Sequence, residues 1–200
     1  SLPEFLINSI NMYKIFELLE NGKTNELIDY LVGAVHRLEK AGADFAVLAA
    51  NTPHIVFGQV QEKVDIPLIS IVEETAEKVR QLNIKKVGLL GTKFTMENDF
   101  FLHPFEKSLI EVQMPNEEEQ QYLHEKIVKE LEKGIVKPDT KERFLDIISK
   151  MEKRNGIEGI ILGCTELPMI IKPEDTKMHQ LNTTDIHVDA IVAAILEMNK

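Results

Sequence analysis

A strand-and-turn unit occurs twice in this chain. Gly156-Ile-Glu-Gly-Ile-Ile-Leu-Gly-Cys164-Thr-Glu-Leu-Pro168 is a short apolar run bounded by glycines and ended by the only cysteine. Gly42-Ala-Asp-Phe-Ala-Val-Leu-Ala-Ala50-Asn-Thr-Pro-His54 follows the same order: a glycine after a helical segment, an acid two places on, an apolar run, then a polar turn. In register, Gly42 falls on Gly156, Asp44 on Glu158 and Ala50 on Cys164. Each unit is preceded by a similar helix end, Arg37-Leu-Glu-Lys-Ala41 before the first and Lys150-Met-Glu-Lys-Arg154 before the second. Strand ends that merely follow a helix and its terminal glycine would share part of this grammar, but the match extends further and reads as duplication of a half-chain. An apolar run of this length is a buried strand, and Ala50 and Cys164 then lie where two strands leave their sheets. In open α/β sheets that edge is where ligands bind.

The rest of the chain alternates strand and helix patterns, as parallel sheets with crossover connections require. Strands are expected at Phe5 to Ser9, Phe45 to Ala49, Pro67 to Ser70, Lys86 to Leu90, Ile110 to Gln113, the Cys164 run and Met178 to Leu181. Helices are expected over Tyr13 to Glu20, Thr24 to Ala41, from the Asn51 turn to about Val60, Glu73 to Leu82, Met96 to Phe101, Glu117 to Lys133, Thr140 to Asn155 and Asp185 to Glu197. In the second of these, Leu27, Tyr30, Leu31, Ala34 and Leu38 recur at helical spacing. The expected fold is α/β, with two pseudosymmetric lobes, each a parallel sheet flanked by helices, and the active site in the cleft between them. The first lobe is assigned residues 1–68 plus 180–200, and the second 69–179.

Charge and composition narrow the function. With 23 basic and 33 acidic residues, net −10, no basic stripe exists to neutralise phosphates, so no nucleic-acid partner is expected. No apolar run approaches a membrane span, and a lone cysteine allows no intrachain disulfide, which fits a cytoplasmic protein. The six histidines are scattered, and none pairs with Cys164 at metal-ligand spacing, so no metal site is expected.

These segments resemble the paired cysteine motifs of the aspartate/glutamate racemase family, Cys-Asn-Thr-x-His in the first half and Gly-Cys-Thr-Glu in the second. The resemblance extends to Gly91-Thr-Lys-Phe-Thr-Met-Glu97 and Pro115-Asn-Glu-Glu-Glu-Gln120 and so covers nearly the whole chain. It departs in two places: Ala50 stands at the first cysteine, and the family's opening glycine-rich strand and helix have no counterpart ahead of Ser1. The resemblance implies a racemase that needs no pyridoxal cofactor, a small amino-acid substrate and a homodimer. It also implies a mechanism in which one thiol from each half exchanges a proton at the α-carbon.

The α-proton of an amino acid is very weakly acidic, so a placed base and electrostatic support are needed to remove it. A thiolate at a strand end facing helix N–H groups serves, and the helix is expected to lower the pKa of Cys164. Ala50 cannot move a proton. Three explanations stand: a deliberate replacement of cysteine, a natural one-cysteine lyase or isomerase acting on a small carboxylic acid, and an amino-acid-binding protein without turnover. Asn51, Thr52, Thr165, Thr92 and Thr95 are candidates to hold the substrate's α-carboxylate or ammonium, although such residues also serve as ordinary turn and cap residues. Glu166 is a candidate to tune the thiol or orient the ammonium, and His54 to brace the loop. Aspartate-specific relatives clamp the distal carboxylate with an arginine. Here that region is Asn8-Ser-Ile-Asn-Met12, without one, and Lys137 falls near the family's second carboxylate-binding position, which suggests a looser preference.

Overall fold

A computed structural model describes residues 3–198. The chain builds α1 (Met12–Glu20), α2 (Thr24–Lys40), β1 (Ala46–Val47), α3 (Phe57–Gln61), β2 (Leu68–Ile69), α4 (Ile71–Gln81), β3 (Lys86–Leu90), α5 (Lys93–Glu97), α6 (His103–Lys107) and β4 (Glu111–Gln113). It continues through α7 (Glu117–Lys129), α8 (Pro138–Asn155), β5 (Gly159–Leu162), α9 (Leu167–Ile170), β6 (His179–Asn182) and α10 (Thr183–Met198). All pairings are parallel. β1 pairs with β2, and a separate sheet runs β4-β3-β5-β6.

The second sheet shows how sequence becomes architecture. β3 after its first residue, Lys86, and all of β5 are apolar because helices cover both of their faces. Gly88 is required in β3, since a Cβ there would lie 2.8 Å from Ile160 Cδ1 and 2.9 Å from both Ile157 Cδ1 and Met151 Cε. One core joins β3 and β5 to α7, α8 and α9 through Leu123, Ile127, Phe144, Ile148 and Leu167. A second, on the other face, gathers Ile71, Val79, Phe101 and Phe105 against Val87, Leu89 and Ile161. The first lobe has its own cluster, from Ile15, Leu27, Leu31, Val35, Ala46 and Val60.

The two halves end their helices alike. Gly42, after α2, and Gly156, after α8, both hold positive φ, 95° and 65°, at the turn into the strand. The sheets themselves differ. Glu158 Oε1 accepts from the Lys85 and Lys86 amides at 2.9 and 3.1 Å and so fastens the start of β3. Its counterpart Asp44 has no strand to fasten, because the first sheet holds only two strands among the described residues.

That difference corrects the expected strand at Phe5 to Ser9. In chain order this segment corresponds to β4, which owes its place to its ladder with β3. No described strand offers residues 5–9 such a ladder, and they run unpaired with Phe5 70% and Ile7 89% exposed. Two further expectations change. The helix expected to reach Lys133 breaks at Glu130 (φ −118°, ψ −65°), whose carboxylate is drawn away by Lys126, Lys137 and Thr140, and residues 131–133 form a separate 3₁₀ turn. The lobe boundary at 179/180 cuts through β6, where Leu181 and Asn182 pair with Ile161 and Leu162, so the second sheet runs on to Asn182. Helix α10 then packs along α4 and reaches back to β2.

Candidate active site

The corner at Cys164 is built from glycines. Leu90 and Leu162 are partners at the carboxyl ends of β3 and β5, and the next residues, Gly91 and Gly163, let those ends lie close together. Gly163 N–H donates to Leu90 O at 2.7 Å, and a Cβ on Gly163 would lie 2.9 Å from that oxygen and 2.8 Å from Leu89 Cδ1. Only glycine fits without moving the backbone that carries Cys164. Thr95, 2% exposed, fills the space behind, and a Cβ on Gly91 would meet its Cβ at 3.1 Å.

The first-lobe turn docks onto this corner. Asn51 Nδ2 donates to Gly163 O at 3.1 Å and lies 3.4 Å from Thr183 Oγ1, which in turn donates to Leu162 O at 3.0 Å. The duplicated strand ends, so far apart in sequence, thus meet across the lobes, and Ala50 is one residue from a direct contact with the peptide before Cys164. Asn51 is 6% exposed, and its Oδ1 is buried with no hydrogen-bond partner among the described residues. Behind the turn, His54 Nδ1 donates to Ala50 O at 2.9 Å while Nε2 accepts the Ile71 N–H at 3.2 Å, which defines the tautomer. Burial brings the His54 pKa down to about 4, so the ring is neutral and braces the loop.

The half-buried Cys164 thiol donates to Glu166 Oε2 at 2.8 Å, and Thr165 Oγ1 donates to the same oxygen at 2.8 Å. Burial, that hydrogen bond and the nearby charges of Glu166 and Glu132 push the thiol pKa well up. This reverses the expected lowering. Helix α9 has four residues, too short to present much dipole, and one backbone hydrogen bond from Glu166 is all that favours the thiolate. Cys164 is therefore a protonated acid in this state.

The other candidates divide. Thr52 opens the 3₁₀ turn after Asn51, and Thr92 sits at the start of α5 with Oγ1 3.4 Å from Thr95 Oγ1. Thr165 is exposed beside the thiol, whereas Thr95 serves packing. Lys137 is held elsewhere, its Nζ 3.0 Å from Glu130 Oε1. Sequence reasoning missed Thr183, fully buried between Asn51 and Leu162. The available signal was the polar run Asn182-Thr-Thr-Asp185, which ends β6 at the same sheet edge as Cys164. Among the described residues no three His, Cys, Asp or Glu side chains form a metal-binding group.

The chain matches the Asp/Glu/hydantoin racemase family over residues 1–191. It belongs to that family. Within it, the fold is similar to that of an aspartate racemase homologue from Pyrococcus horikoshii OT3, at 40% identity and a TM-score of 0.86, covering 96% of this chain and 83% of that one. Among curated proteins, the chain is 31% identical to the broad specificity amino-acid racemase RacX of Bacillus subtilis (strain 168) over 77 residues, 38% of this chain and 34% of that protein. It is 27% identical to the glutamate racemase of Actinobacillus pleuropneumoniae serotype 3 (strain JL03) over 151 residues, 73% of this chain and 54% of that protein. The matches thus span between a third and about half the length of these racemases. The expected two-lobe α/β architecture agrees with the fold of this family.

Proposed function

We propose that this chain carries the catalytic cleft of a cofactor-independent amino-acid racemase in which Cys164 is the proton-carrying group of one half and Ala50 marks the place of the other. The observation that carries the reading is the hydrogen bond from Asn51 to Gly163, which brings the two duplicated strand ends to one point. In this reading the substrate lies between Ala50 and Cys164. Asn51 Oδ1, an unpaired buried acceptor, takes an N–H of the substrate ammonium, and Thr52, Thr92 and Thr165 line the remaining polar edge.

The protonated Cys164 delivers a proton to one face of the α-carbon while the carbanion-like transition state collapses. In the reverse direction its thiolate removes that proton, with Glu166 positioned to receive the thiol's own proton. Alanine offers nothing on the opposite face. Inversion by two groups is therefore blocked in this chain, while exchange at the Cys164 face is retained. A second reading, a one-thiol lyase or isomerase acting on a small carboxylic acid, is favoured by the same protonated thiol, which suits a single protonation step. The reading places the protein in the cytoplasm. Among the described residues, no helix is long and apolar enough to cross a membrane.

The experiment follows α-proton exchange and chiral inversion in deuterated water for acidic, neutral and basic amino acids, with this chain and its Ala50→Cys variant. Exchange by the parent chain and inversion by Ala50→Cys are expected. Absence of both from either protein, although ligand binds, would exclude the racemase reading and leave a binding role or the one-thiol reaction.

A further inference from the structure

We propose that Thr183 is a positioning residue of the cleft: its hydroxyl fixes the Asn51 amide so that the carbonyl oxygen, not the amino group, is left for the substrate's ammonium. The inference rests on the racemase reading for where the ammonium lies and goes beyond it in naming the residue that makes the site select for it.

A count of hydrogens fixes the amide. Thr183 has one hydroxyl hydrogen, and it is donated to Leu162 O at 3.0 Å. Toward Asn51 Nδ2, 3.4 Å away, Thr183 Oγ1 therefore offers only a lone pair. The second neighbour of Nδ2 is Gly163 O at 3.1 Å, which also can only accept. Both Nδ2 hydrogens are thus taken by oxygens that have nothing to donate. A flipped amide would set Oδ1 against those same two oxygens, so the flip is closed while the Thr183 hydroxyl points at Leu162. Oδ1 is left over. An asparagine that opens a turn commonly caps a following N–H with this oxygen, but Asn51 makes no such bond, and Oδ1 is buried without a partner among the described residues. A buried acceptor is costly to leave unpaired, and a ligand that brings an N–H relieves the cost.

Regular elements hold the hydroxyl in place. The ladder between β5 and β6 pairs Leu162 with Asn182, so Thr183 is delivered one residue beyond that rung. There it begins α10, fully buried. One turn later, on the same face, His187 Nε2 lies 3.0 Å from Ile69 O and fastens α10 to the end of β2. Thr183 therefore enters the corner from a strand end and an anchored helix, whereas Asn51 sits on a turn and takes its orientation from what it meets.

The test is calorimetric titration with amino acids and with the same acids lacking the α-amino group: glutamate against glutarate, aspartate against succinate, alanine against propionate, and lysine against ε-aminocaproate. The proteins are the parent chain, Thr183→Val, Thr183→Ser, Asn51→Ala and the double variant of Thr183→Val with Asn51→Ala, and α-proton exchange is followed in parallel. In the parent, an amino acid is expected to bind about tenfold more tightly than its deamino partner, and Thr183→Val and Asn51→Ala each to remove that preference, as the loss of one buried hydrogen bond predicts. Thr183→Ser is expected to keep it. The double variant is expected to lose no more than Asn51→Ala alone, because Thr183 acts through Asn51. Equal weakening of both members of a pair, or a preference that survives in Thr183→Val, overturns the inference. Should a thermal melt show that Thr183→Val does not fold, side-chain amide exchange in the parent decides. Both Asn51 Nδ2 hydrogens are expected to be protected, and rapid exchange of either overturns the inference. If the parent still exchanges an amino-acid α-proton, the racemase reading stands without it. Neither binding nor exchange of any amino acid by the parent overturns both.

Discussion

Cys164 and Glu166 are two residues apart and 2.8 Å apart, with the thiol as donor and the carboxylate as acceptor. Burial is the largest cause of the raised thiol pKa, and an anion in that place adds to it by stabilising the protonated sulfur. Because the chain has one cysteine, alkylation reads this group alone. Glu166→Gln is expected to lower the thiol pKa and, by enlarging the thiolate fraction, to raise the iodoacetamide rate at about pH 8 by roughly tenfold. A rate unchanged by the substitution would mean that burial, not Glu166, holds the proton. At this scale the positions of Ala50 and Cys164 at strand ends were legible because each closes an apolar run before a polar turn. The raised pKa was not legible, since it depends on which carboxylates the fold brings to the sulfur. The pairing of Lys137 with Glu130 was hidden for the same reason.

Two histidines clamp the strand that crosses between the lobes. His54 accepts from Ile71 N–H at the start of α4, and His187 of α10 has Nε2 3.0 Å from Ile69 O at the end of β2. Burial lowers both pKa values, that of His54 from 6.5 to about 4, and a charge on His187 would further disfavour one on His54. The folded state therefore holds both neutral. Above pH 6.5 their stabilisation is fully present, and as pH falls toward 4 the unfolded chain takes up protons that the folded chain refuses. His54 alone accounts for a loss of about 3 kcal/mol across that window, with His187 acting in the same direction. Urea midpoints measured from pH 7 to 4 should fall steeply, and His54→Gln should flatten the curve. A stability constant down to pH 5 in the parent chain would contradict the clamp. Helix α7 belongs to the same scale: its acid-first, base-last pattern and Asn116 cap were visible in sequence and are realised as a capping box with Glu119. Its end at Lys129 was not, because propensity alone would carry the helix to Gly134, and the interruption comes from Glu130's hydrogen bonds to Lys137 and Thr140, which lie beyond the helix.

For the molecule as a whole, α10 leaves Val188, Val192 and Leu196 at 51%, 48% and 61% exposure along one stripe. The stripe supports the homodimer that the family resemblance implies, and light scattering at rising protein concentration should show a mass twice that of the chain. Val192→Glu is expected to shift the population to monomer while leaving the melting temperature within a few degrees, as an exposed substitution should. A monomer at every concentration would overturn the expected dimer. By itself the sequence determined the alternation of strands and helices, the duplicated grammar that sets Ala50 against Cys164, and the acidic charge balance. These follow from local patterns of size, polarity and backbone preference, which each stretch carries within it. Only the tertiary structure decided that residues 5–9 stay unpaired, that Thr183 completes the bridge between the strand ends, and that Glu132 and Glu166 share the corner with the thiol. A ladder, a buried hydrogen bond and a shifted pKa each need a partner from a distant part of the chain, and that partner is assigned only when the chain folds.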